Sequence, residues 1–175
     1  MADFTVFLPS LLKLEGGFAD NPSDPGGATN KGVTLETFRG CAQILLGIEP
    51  TLDNLRDLTD TQAGVIYKVL YWDKAQGDNI ASQKLANMVC DFYVNAGRRA
   101  TKLLQTVLNG MGARLAVDGV LGPASLEALA SAAHDEVCRR YTQGRIDYYH
   151  GLVEERPGLI VFLDGWVNRV NSLAS

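Results

Sequence analysis

Apolar side chains in this chain recur every three or four residues over most of its length and show no clear in-out alternation, which restricts the fold to packed helices. Phe4, Phe7, Leu8, Leu11 and Leu12 predict a first helix, with Asp3 as N-cap, Gly16-Gly17 as stop, and Pro9 as a kink or restart. Thr34 caps a second helix that runs to about Gly47, and Thr59-Asp60-Thr61-Gln62 reads as a capping box opening another to about Trp72. Leu85, Met88, Val89, Phe92 and Ala96 fall on one face of a central core helix that Gly97 is placed to stop. Further helices are expected near 98–108, 123–132, 135–154 and 159–173. Between Phe18 and Val33 the Asn, Asp, Pro and Gly content predicts a long ordered loop with room for a short hairpin. The expected class is therefore mainly α with a long Gly/Pro/Asp-rich loop.

A chain of 175 residues, 46% of them hydrophobic, buries one sizeable core and a small second lobe. Composition shifts at Gly97, giving expected regions 1–97 and 98–175 packed as one compact unit. A net charge of -4 provides no global basic field, so nucleic acid is not an expected partner. The clusters Arg98-Arg99-Lys102 and Arg139-Arg140-Arg145 read as solvated helix faces. No apolar run of about 18 residues predicts membrane insertion, and Met1-Ala2-Asp3-Phe4 lacks the basic and apolar start of a secretory signal, so synthesis in the cytoplasm is expected. Cys41, Cys90 and Cys138 are odd in number and form no CxxC pair, which predicts buried thiols. His134 and His150, without an HExxH motif, give neither a metal site nor a triad; no metal or organic cofactor is expected.

Chemistry concentrates at the end of the first helix. Continuing the apolar stripe from Phe4 through Leu8 and Leu11 lands on Glu15, a carboxyl group where the pattern calls for hydrocarbon, at a helix end whose dipole it opposes. A carboxylic acid held against apolar surface keeps its proton to higher pH and is suited to protonating a leaving oxygen. Capping of amides in the following glycine-rich loop would also account for Glu15, and the pattern alone leaves both roles open. Asp20, Asp24, Thr29 and Asn30 in that loop are groups able to hold water or a hydroxyl, although Asp24-Pro25-Gly26-Gly27 is also an ordinary turn.

The segment from Glu15-Gly16-Gly17-Phe18 through Asp24-Pro25-Gly26-Gly27 to Gly32-Val33-Thr34 resembles the signature of glycoside hydrolase family 108, the N-acetylmuramidases that include phage endolysins and proteins once called secretion activators. The resemblance continues at Tyr71-Trp72-Asp73, Asp91 to Gly97, Leu103-Leu104-Gln105, Asp118-Gly119-Val120-Leu121-Gly122-Pro123 and Gly165 to Val170. It implies a lysozyme-like helical fold, a catalytic first half, a peptidoglycan-binding remainder, and Glu15 as catalytic acid. Asp24 follows Glu15 at an interval similar to that of many phage lysozymes, whereas Thr29 stands one position short of their usual threonine. Asp24 ranks above Asp20 as base or electrostatic stabiliser, with Thr29 and Thr34 as further candidates.

For substrate binding, Thr34, Tyr71, Trp72, Tyr93 and Asn95 are nominated, because aromatic faces pack on pyranose rings and amides bond acetamido groups; N-capping by Thr34 and core packing of the aromatics are the competing readings. The activity implied is hydrolysis of the β-1,4 bond between N-acetylmuramic acid and N-acetylglucosamine in peptidoglycan glycan strands. A lytic transglycosylase using the same glutamate, or a non-catalytic wall-binding or secretion-assisting module, are the alternatives. Access to the wall is expected to need a holin-type lesion or an exporter, in which case expression in the cytoplasm alone does not lyse cells.

Overall fold

The computed structural model describes residues 1–20 and 27–174. The chain forms two compact units, Phe4–Tyr71 and Met1–Asp3 with Trp72–Ser175.

In the first unit, α1 (Phe4–Glu15) buries Phe7 and Leu11 and runs through Pro9 rather than restarting there. Pro9 is exposed, so the backbone bond it forfeits lies on the solvent side, where it is least costly. Two short antiparallel strands, β1 (Thr29–Asn30) and β2 (Val33–Thr34), form the hairpin for which the loop had room. Thr34 accepts from the Thr37 amide and caps α2 (Leu35–Leu46), which Gly47 closes in the left-handed conformation.

A short α3 (Leu52–Arg56), absent from the sequence expectation, is capped by Thr51 and spans too few residues to display a period. The Asn30 amide donates to the Leu55 and Arg56 carbonyl oxygens (2.9 and 2.8 Å) and is 4% exposed. This side chain therefore satisfies the end of α3 and ties the hairpin down, instead of facing a ligand as expected. Both halves of the Thr59/Gln62 capping box form at the start of α4 (Asp60–Tyr67), and a π-helical turn follows at Lys68–Trp72.

The second unit is built on α5 (Gln83–Ala96), α6 (Arg98–Asn109), α7 (Pro123–Ser131), α8 (His134–Glu155) and α9 (Ile160–Ala174). α5 carries the core face expected of it, with Leu85, Met88, Val89 and Phe92 buried, and Gly97 ends it. All three cysteines of the chain are reduced and buried. His134 opens α8, and His150 lies exposed on it.

Gln105 of α6 organises the loop before α7: its amide donates to Asp118 and to the Val120 carbonyl, while its own oxygen accepts from the Gly119 amide (2.8 Å). These bonds hold the Asp118 carboxyl below the usual carboxylate range, Gln105 contributing most and the Val120 amide next.

One expectation fails here. Arg145 is not on a solvated face; it is 1% exposed and pairs with buried Asp91 at 2.6 Å, its guanidinium 4.8 Å from the Phe92 ring centroid. Arg169 of α9 pairs with the other oxygen of Asp91, also at 2.6 Å. A buried guanidinium persists only where a carboxylate and aromatic faces replace its lost water, which is what α5 and α8 supply. Trp166 is half-buried, stacked on Tyr149 with centroids 4.9 Å apart, and Val170 beside it is buried. Among the described residues no helix is long and apolar enough to cross a membrane.

Candidate active site

Phe7, Leu11 and Glu15 stand four residues apart on one face of α1; the first two are 1% exposed and Glu15 is half-buried. Gly16, at φ 75°, ends the helix directly after the acid. Among the described residues a Cβ at Gly16 or Gly17 would meet nothing within 4 Å, so the backbone of this helix end is left uncovered by them.

The hairpin turn closes on the carboxyl group from the other side. Lys31 and Gly32 both take positive φ (50° and 75°), as a two-residue type I′ turn requires. A Cβ at Gly32 would stand 2.6 Å from Glu15 Oε2 and 2.9 Å from Glu15 Cβ, and would also run into the Tyr67 hydroxyl oxygen. Only glycine fits between these two side chains. Tyr67 donates to the Lys31 carbonyl at 2.8 Å, fixing the turn in this position. Replacing Gly32 with Ala should therefore displace the carboxyl group as well as strain the turn by about 1–2 kcal/mol. The expected result is a fall in turnover on the order of a hundredfold in an otherwise folded protein, since a misplaced group costs about that much. Turnover within threefold of wild type would show that Gly32 does not position Glu15.

The Tyr71 ring lies tilted against that of Tyr67, with centroids 5.5 Å apart. Burial pushes its phenol pKa up; a hydrogen bond with Thr37 opposes this, while Cys41 and Glu15 add to the rise. Tyr71 thus stays protonated at neutral pH. Thr34 donates its hydroxyl hydrogen to Thr37 Oγ1 (3.0 Å), so the hydroxyls of Thr34 and Thr37 stand on the same side as Tyr71. Such a set, one carboxyl group among neutral hydroxyls, suits proton donation to an uncharged polar substrate.

Of the residues nominated from sequence, Glu15, Thr34 and Tyr71 come together in the first unit. Thr29 lies half-buried in β1, paired with Ala19, and Asp20 follows Ala19 as an exposed side chain. Asp24 lies outside the described residues. Trp72, Tyr93 and Asn95 belong to the second unit. The Trp72 ring is 0% exposed and donates to Asp78 at 2.6 Å, with Gly77 flat against the indole, so it serves as core rather than as a stacking platform. Tyr93 is half-buried, and the exposed Asn95 returns its amide to the Asp91 carbonyl (2.8 Å) on its own helix.

Tyr67 was not singled out from sequence, and no local signal marks it: its partner, Lys31, is 36 residues away. Among the described residues no cluster of three or more His, Cys, Asp or Glu is arranged to hold a metal ion.

A helix-borne glutamate facing a short hairpin thus stands within a mainly α, lysozyme-like architecture. The Glycosyl hydrolase 108 family model matches residues 8–97 and the predicted peptidoglycan domain matches residues 99–171. The chain belongs to glycosyl hydrolase family 108. It is similar to the solved structure of SagA from Brucella abortus, with 31% sequence identity and a TM-score of 0.79, over 98% of this chain and 91% of that one. No curated protein sequence matches it. Its role is accordingly to degrade or bind peptidoglycan at the cell wall.

Proposed function

We propose that the chain is an N-acetylmuramidase that hydrolyses the β-1,4 bond between N-acetylmuramic acid and N-acetylglucosamine, with Glu15 as general acid. The observation that carries this reading is the seat of the Glu15 carboxyl group, half-buried against Gly32 beside the open backbone of Gly16-Gly17. Glu15 protonates the leaving glycosidic oxygen, the anomeric carbon passes through an oxocarbenium-like state, and water adds to it. Asp24 is the favoured partner for the water or the developing cation, ahead of Asp20 and Thr29. Tyr71 and Thr34 bond hydroxyl or acetamido groups of the sugar. The family segments that meet near Gly97 divide the work, residues 1–97 cleaving and 98–175 holding the wall.

Purified peptidoglycan digested with the protein should yield soluble fragments ending in reducing N-acetylmuramic acid, identified by mass spectrometry. Fragments ending in 1,6-anhydro-muramic acid would assign a lytic transglycosylase instead. Binding to sacculi with no soluble fragment would leave only a wall-binding module.

A further inference from the structure

The acid's helix carries a second feature on the neighbouring face. A cavity of about 610 Å³ runs along α1 from Leu8 and Leu12 to Gly16 and Gly17, with Lys13 and Lys31 on its walls. It shares Leu8, Pro9 and Thr61 with a second cavity of about 490 Å³ that reaches Phe4 and Lys68, so one groove follows the α1/α4 junction away from the Glu15 end.

Near Glu15 the apolar lining is Leu8, Pro9 and Leu12, with Asp60 and Thr61 on the wall beside the lysines, and among the described residues it contains no aromatic ring on which a pyranose could stack. The charges on the two lysines are not equivalent. Lys31 is already held by Asp60 at 2.6 Å, whereas no described carboxylate pairs with Lys13. Such a groove complements a chain of small apolar side chains that carries carboxylates. Peptidoglycan has one such part, the short peptide borne on the lactyl group of each muramic acid, rich in alanyl methyls and free carboxylates. Three to five extended residues reach about 10–17 Å, the length of about seven to eleven residues of helix, so a stem leaving a sugar beside Glu15 would follow the groove.

We propose that the α1/α4 groove is a peptide-stem subsite, in which Lys13 receives a stem carboxylate and Leu8 and Leu12 receive alanyl methyl groups. The proposal rests on the muramidase reading given above and makes the enzyme selective for glycan that still bears its stems.

The test compares rates of reducing-end release from intact sacculi with rates from the same sacculi stripped of stems by an N-acetylmuramoyl-L-alanine amidase, using wild type and Lys13→Gln. Wild type should cleave the stem-bearing substrate about threefold to fivefold faster, the scale of one solvent-accessible ion pair, and the ratio should fall toward one in the variant. Raising the salt concentration should shrink the wild-type ratio in the same direction. Equal wild-type rates on both substrates, or an unchanged ratio in Lys13→Gln, would overturn the subsite while leaving the muramidase reading standing. Cleavage of neither substrate by wild type would instead remove the muramidase reading, and the subsite with it.

Discussion

Glu15→Gln should lower the rate of reducing-end release by about a hundredfold to ten-thousandfold, the range that one positioned proton donor supplies. The amide keeps the size and hydrogen-bonding reach of the carboxyl group, so the half-buried seat against Gly32 is filled as before. What disappears is the transferable proton. The loss should therefore fall on turnover, with sacculus binding and thermal stability close to wild type. Measuring soluble muropeptide release beside a thermal melt separates the two effects. A variant that retains more than a tenth of wild-type turnover would leave Glu15 without the role of acid. A variant that melts well below wild type would show instead that the carboxyl group holds the hairpin, the capping role that the sequence left open.

The effect also differs in kind from that of Gly32→Ala. The glycine supplies no proton; it supplies the absence of a side chain where Glu15 and Tyr67 approach the turn. Loss of turnover in both variants, with folding kept in both, would tie the hairpin to the acid through geometry.

How much of this was legible in the sequence depends on how local each cause is. Caps at Thr34, Thr59 with Gln62, and Gly97 act within one turn, so the ends of α2, α4 and α5 could be read directly. The displacement of Glu15 from the apolar pattern was likewise local, because α1 displays its own period. Asn30, Trp72 and Arg145 misled for one shared reason: each is polar or partly polar, and surface exposure is the ordinary expectation for such groups. Their burial depends on partners set by tertiary packing: carbonyls at the end of α3 for Asn30, Asp78 for Trp72, and Asp91 with Tyr149 for Arg145. Tyr67 escaped notice for the same cause in reverse, since a buried tyrosine on a helix announces nothing until the hairpin arrives at its hydroxyl.

The largest stability effect should come from Asp91. Its two oxygens are shared between Arg145 and Arg169, so one carboxylate of α5 neutralises guanidinium groups from α8 and α9 at once. Arg145 cannot turn to water when that charge is removed, because its side chain is only 2% exposed and is wedged beside Phe92 and Tyr149. Asp91→Ala should cost about 3–5 kcal/mol, the penalty for stranding a buried charge after its partner is deleted. For a chain of this size that corresponds to a melting temperature lower by roughly 6–20 °C. Asp91→Leu combined with Arg145→Met should recover much of the loss, since apolar groups of similar volume carry no desolvation penalty there. A single variant that melts within about 2 °C of wild type would mean the triad is solvated in solution. A double variant no better than the single one would place the stabilisation in the Arg169 arm, whose side chain is 17% exposed and retains access to water.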